Sequence, residues 1–237
     1  MKKFIFGLLF AAACAAAQAG TVQLPAAADA YVDSVNTMAN YGGDPFLRVQ
    51  GFAAGVGTFG SIQRTYLKFN LNGAIPDGAI ITGAVFGIYL NDINKGTFRA
   101  ADPNPWLFYV ADDSWQENTL NWTNAPGYGA LAYEEISKPT VIPGQYYQWN
   151  LFSGAGDQWT NYALDLADGF ISFALVSEFE DFNTRAIYNS RTNEANRPYL
   201  EITYIIPEPA TMLLLGAGGL LSISKRRTQN LEHRTQN

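Results

Sequence analysis

Residues 62–71 read IQRTYLKFNL. Successive side chains of an extended chain point to opposite faces. Thr65, Leu67, Phe69 and Leu71 therefore share one face, and Arg64, Tyr66 and Lys68 share the other. A helix would scatter both sets around its axis. Period-two alternation of this kind, bounded by turn residues, predicts a β-strand with one face on a core.

The same pattern recurs on both sides. In 84–90, Ala84, Phe86, Ile88 and Leu90 alternate with Val85, Gly87 and Tyr89. Further runs cover 46–49, 107–111, 146–151, 170–176, 184–190 and 199–204. Turn signals separate them, such as YGGDP at 41–45 and IPDG at 75–78. A helical period occurs only in 158–166, where Trp159, Tyr162, Ala163 and Leu166 fall on one face. Many short strands at this spacing predict an all-β fold, a single jelly-roll or β-sandwich domain over residues 20–206.

The two ends have a different character. Lys2 and Lys3 precede an apolar run, 4–17, and Ala17-Gln18-Ala19 supplies small residues before Gly20. This is the pattern of a signal peptide over 1–19, cleaved between Ala19 and Gly20. Cys14, the single cysteine, would leave with it. At the other end, Pro207-Glu208-Pro209 leads into an apolar run, 210–224, followed by Lys225, Arg226 and Arg227. Such a run approaches the lower limit of a transmembrane helix, and the basic cluster orients it with its end in the cytoplasm. This tripartite order over 207–227 resembles the PEP-CTERM sorting tail of Gram-negative bacteria. The resemblance implies processing by an exosortase-type membrane protease. It also implies delivery to the cell envelope or extracellular matrix, with the C-terminus anchored in the membrane at least transiently. A short polar tail, 228–237, repeats RTQN.

Residues 20–206 hold nineteen acids and nine bases, a net charge of −10. A nucleic-acid partner, which needs a basic surface, is not expected. The single histidine, His233, lies in the tail, so the body has neither His nor Cys. No Ser-His-Asp or Cys-His nucleophile can be assembled from it. Zinc and copper sites lack their usual ligands, and disulfides cannot stabilise the body. An enzyme is not expected.

Four blocks then occur in order: ADAYVDSVNTMANYGGDPFLRV (28–49), RTYLKFNLNGAIPDGAIITGAVFGIYL (64–90), VADDSWQENTLNWTNAP (110–126) and NSRTNEANRPYLEITY (189–204). Together they resemble the DNRLRE domain, also grouped as carbohydrate-binding module family 96, over nearly all of the body. The resemblance implies a β-jelly-roll of exported proteins and an acidic polysaccharide as partner.

Arg64, Tyr66 and Lys68 on one strand face, with Arg48 outward on 46–50, form a candidate polysaccharide-binding stripe. Guanidinium and ammonium groups pair with uronate carboxylates, and a Tyr ring offers a flat apolar platform. The same pattern fits solvent-facing charge on an outer sheet. Asp112, Asp113 and Glu117 suggest acid chemistry, but adjacent strand residues face opposite ways, and a turn role beside Trp115 is the simpler expectation. Trp115 and Trp122 are expected to anchor a core or loop. Glu178, Glu180 and Asp181 are candidate Ca²⁺ ligands; otherwise no cofactor is expected. Arg191 and Arg197 flank TNEAN, and Arg191 is expected to clamp a carboxylate of the fold. Asn121-Trp122-Thr123 fits a glycosylation pattern, with a loop as its plainer meaning. The function expected from these features is non-catalytic polysaccharide binding in the envelope or matrix. A self-assembling matrix or adhesion protein is the alternative, and a small polysaccharide lyase or glycosidase a third reading.

Overall fold

The computed structural model describes residues 18–52, 60–95, 104–129, 132–135, 141–152, 168–178 and 180–207. The expected helix at 158–166 lies outside them, as do the signal peptide up to residue 17 and the sorting tail from residue 208.

Eleven strands are described: β1 (Gln18–Pro25), β2 (Ala28–Asp33), β3 (Phe46–Gln50), β4 (Gln63–Asn70), β5 (Ile80–Lys95), β6 (Pro105–Val110), β7 (Ala132–Glu135), β8 (Gln145–Asn150), β9 (Phe170–Ser177), β10 (Thr184–Asn189) and β11 (Tyr199–Ile206). All their pairings are antiparallel. The long strand β5 carries β8 on one edge, and β11 and then β10 along the other. From β5 the pairings run through β8, β7, β6, β9, β4, β3 and β10 and back to β5. The sheet thus curls round until it meets itself. Its weakest junction is β3–β4, which meet only at Gln50 and Gln63.

The apolar phase of each strand faces the interior of this curl. Leu67 and Phe69 of β4, Phe86, Ile88 and Leu90 of β5, Trp149 of β8 and Phe173 and Leu175 of β9 form one buried cluster. Phe86 sits between Trp149 and Phe173, with ring centroids 5.5 and 5.8 Å away in tilted pairs. Such contacts add to the free energy of burial.

A second apolar cluster lies on the other face of β2, β4, β6 and β9. Ala30, Val32, Tyr66, Phe108, Val110, Ala174 and Val176 are capped there by Trp115 and Leu120, with Trp122 and Tyr128 packed against them. The connection 111–128 therefore lies over the outside of the sheet. This explains why β2 reads ADAYVD and β9 reads FISFALVS without clean alternation: both faces are covered.

Candidate functional site

The curl opens a pocket of about 330 Å³ beside the β3–β4 junction, lined by Asp33, Val35, Asn36, Arg48, Gln50, Gly60, Ser61, Gln63 and Arg185. Pairing places its two cations together. Ile187 of β10 opposes Arg48 of β3, and Arg185 opposes Gln50. Ala186, Tyr188, Leu47 and Val49 take the core phase of these strands, so Arg185 and Arg48 project outward. Burial and the neighbouring Arg48 guanidinium push Arg185 below its ordinary value, against the pull of Asp92.

The floor of the pocket is a hydrogen-bonded lattice. Asp33 Oδ1 accepts from the backbone N–H of Val35 (2.8 Å) and Asn36 (3.1 Å). Its Oδ2 accepts from Gln63 Nε2 (2.7 Å) and Ser61 Oγ (3.1 Å). Burial alone would raise the Asp33 carboxyl, but these donors hold it below the ordinary carboxylate range, so it stays ionised. Gln50 Nε2 donates to Ser61 O (2.7 Å). With their amide N–H groups used in this way, Gln50 Oε1 and Gln63 Oε1 are buried with no hydrogen-bond partner among the described residues. Arg48 lies 5.1 Å from the Tyr31 ring centroid, and Tyr31 stacks on Tyr41 at 4.2 Å. Tyr31 O–H donates to Asp44 at 3.0 Å.

Of the residues expected to bind, only Arg48 lies in this pocket. Arg64, Tyr66 and Lys68 do share a face of β4, but 111–128 covers it, which corrects the expectation of an open stripe. Tyr66 is 2% exposed and donates its O–H to Pro126 O (3.0 Å), so neither face of its ring is available as a platform. Burial pushes its phenol up to about 12. Arg64 makes a two-pronged ion pair with Glu180 (2.7 and 2.9 Å) and lies 4.8 Å from the Trp122 ring and 5.5 Å from Tyr128. Lys68 Nζ donates to the carbonyls of Asp113 and Trp115 and sits 4.6 Å from the Trp115 ring centroid. These cations fasten the covering connection. The pattern of β4 alone could not show this, because the cover comes from residues more than forty positions away.

Arg191 clamps the fold, as expected. It donates from Nε and Nη2 to Glu117 (2.6 and 2.5 Å), and its backbone N–H donates to Asp29 Oδ2 (2.6 Å). Arg197 is exposed. Asp112 Oδ1 accepts from Ser114 N–H (2.9 Å), which is the turn role, and Trp115 is buried. Asn121 Oδ1 caps its own loop through Thr123 N–H and Oγ1. The Ca²⁺ candidates are dispersed: Glu180 is engaged by Arg64, and Glu178 accepts from Asn104 Nδ2. Among the described residues, no group of three or more His, Cys, Asp or Glu is placed to hold a metal ion.

Sequence reasoning missed Arg185, Gln50, Gln63 and Asp33. A signal was present. Gln50 and Gln63 are bulky amides at the ends of strands whose other members are apolar or outward-facing, and Arg185 shares the outward phase of Arg48.

The described geometry is thus a pair of arginines over a polar floor on a curled antiparallel sheet. Residues 20–204 match carbohydrate-binding module family 96, and the chain belongs to that family. Residues 206–227 match the PEP-CTERM protein-sorting motif, which marks a protein for export and exosortase-dependent sorting to the envelope or exterior of Gram-negative bacteria. The chain is also similar to a gellan lyase of Bacillus sp., with 28% identity over 203 residues. That covers 84% of this chain but only 7% of that enzyme's length.

Proposed function

We propose that this chain is an exported, non-catalytic jelly-roll module that binds acidic polysaccharide, with Arg48 and Arg185 receiving a uronate carboxylate. The carrying observation is the pocket itself. It brings the side chains of Arg48 and Arg185 to one opening, so that a single carboxylate at its mouth would meet both guanidiniums. Bidentate pairing to a planar carboxylate suits Arg better than Lys. Family membership supports binding, and the similarity to one segment of a gellan lyase makes gellan, an anionic polysaccharide, the first probe. In this reading residues 1–19 are removed on export, 20–206 form the binding domain, and 210–224 hold the protein in the membrane until an exosortase-type protease acts after Pro207-Glu208-Pro209.

The test is affinity electrophoresis of the full chain, in mild detergent, through gels containing gellan or alginate. Retardation is expected, with Arg48→Ala weakening it about ten-fold or more. Arg64→Lys, which leaves the pocket intact, is expected to retain it. Retardation unchanged by Arg48→Ala overturns the assignment of the pocket. Release of unsaturated or reducing ends from gellan would make the chain a lyase or hydrolase instead. Concentration-dependent assembly with no glycan retardation would make it a structural matrix protein.

A further inference from the structure

Along β5, Gly87 and Tyr89 alternate with the buried Phe86, Ile88 and Leu90 and so face outward. Pairing brings Tyr199 of β11 and Gln148 of β8 against Gly87, and Tyr146 of β8 against Tyr89. A Cβ built on Gly87 would lie 2.3 Å from Cζ of Tyr199. The outer end of the Tyr199 ring therefore lies over the glycine backbone, in the space that a side chain at position 87 would fill, and the residue is only partly buried. Its hydroxyl accepts from Gln148 Nε2 at 2.5 Å, which fixes the ring in that attitude. Tyr146, 37% exposed, stands at 61° to Tyr199 with centroids 5.3 Å apart, and Tyr89 lies 5.4 Å beyond. Tyr146 is held upright by its hydrogen bond to Arg197 O (3.2 Å). The result is an apolar floor with an aromatic wall and hydroxyls at its rim.

This corner and the guanidinium pocket share one surface. β5 shifts register after Leu90, so that Asp92 and Asn94 take the outward phase and oppose Ile187 and Arg185 of β10. Arg48 of β3 follows on the far side of Ile187. The eight residues from Gly87 to Asn94, with one bulge, span roughly 20 Å of strand. That is long enough for several sugars of one chain.

We propose that Tyr199, Tyr146 and Tyr89 form a second subsite, which stacks against the ring face of an uncharged sugar in the same glycan strand whose uronate sits at Arg48 and Arg185. The inference rests on the reading of that pocket and adds to it. The fitting ligand class is a polysaccharide in which uronates are separated by neutral sugars. Among the described residues no cation lies over these rings, and the corner favours a neutral pyranose face, which packs on a flat Tyr as other apolar surfaces do.

The experiment uses the full chain with two probes, gellan and free glucuronate, titrated by NMR and calorimetry. Glucuronate fills only the pocket. Tyr199→Ala should weaken gellan binding roughly ten-fold and leave the glucuronate affinity unchanged. Gly87→Ala keeps every tyrosine but drives a methyl into the Tyr199 ring, and should show the same split. Arg48→Ala should weaken both probes. Thermal unfolding of each variant confirms that the fold is retained. Gellan affinity unaltered by both Tyr199→Ala and Gly87→Ala overturns the second subsite and leaves the pocket standing. Failure of the parent chain to bind either probe overturns the pocket, and the subsite with it.

Discussion

Asp29 shows how far a single carboxyl can be bent by its surroundings. It is buried where β2 meets the segment after β10, and burial is the largest influence on it, pushing it from 3.8 up to about 6. The Arg191 N–H and Ser190 Oγ hydrogen bonds oppose the shift, and the Glu117 carboxylate adds to it. A raised folded-state value means that between about pH 4 and pH 6 the folded chain holds a proton that the unfolded chain has lost. Stability must then fall as pH rises through that window. At one pH unit per about 1.4 kcal/mol, the group should cost about 3 kcal/mol at neutral pH relative to pH 4. Asp33 has the opposite sign. Its value is lowered, so its contribution is present above the ordinary carboxylate range and is lost as the solution becomes more acidic. Urea midpoints measured between pH 4 and pH 7 should therefore decline toward neutrality, and Asp29→Asn should remove most of that slope whatever it does to absolute stability. An equal slope in the variant would show that Asp29 is not the group responsible. The neighbouring Arg191–Glu117 pair is partly buried, and removing one partner strands the other. Arg191→Ala should thus destabilise by about 1–2 kcal/mol, between the values of an exposed and a buried pair, read from the same urea curves.

At the level of elements, the connection 111–128 determines which side of β4 is usable. Arg64 lies beneath it against the Trp122 and Tyr128 rings, and is itself held by its ion pair to Glu180 of the β9–β10 loop. Gly42 permits its approach from the side, since a Cβ there would lie 2.2 Å from the Glu117 carbonyl oxygen. Asn40 Nδ2 donates to that carbonyl and to Leu120 O (2.7 and 2.8 Å). Arg64→Ala should lower stability by about 2–4 kcal/mol and speed amide exchange across 115–124, because it breaks a partly buried pair and loses the aromatic contacts. Arg64→Lys should recover less than half of this, having no planar fork to match the carboxylate. A change within about 0.5 kcal/mol for Arg64→Ala would mean that the cover is held by packing alone. The strands themselves were legible in the sequence: Phe46–Gln50, Gln145–Asn150, Phe170–Ser177 and Tyr199–Ile206 fall within two residues of where alternation placed them. β1 and β7 were not read as strands; β2 was visible only as part of a resemblance, because it is covered on both faces and so loses its alternation. The binding residues were harder still. Alternation says that Arg64 and Arg48 face away from the core, but it does not say what lies over them. Only long-range pairing covers the first and leaves the second in a pocket with Arg185.

The whole molecule adds an electrostatic condition that neither scale contains. Residues 20–206 carry a net charge of −10, yet the pocket gathers Arg48 and Arg185 within one small opening. An anionic polymer approaching this surface meets repulsion at long range and attraction only at contact. Salt acts differently on the two. The screening length falls to about 10 Å at 0.1 M, so the far field of the body fades first, while a recessed guanidinium–carboxylate contact is screened much less. Association of gellan should therefore become faster as ionic strength rises from about 0.01 M to about 0.1 M, the reverse of the slowing seen when opposite charges steer an encounter. Affinity should change little over that range, since stacking on Tyr199 is indifferent to salt and the buried contact nearly so. Stopped-flow or surface-binding kinetics at several salt concentrations would read both quantities. A rate that falls steeply with salt would mean that the polymer is drawn to a broad basic surface, and the recessed pair beside the β3–β4 junction would then not be its point of capture.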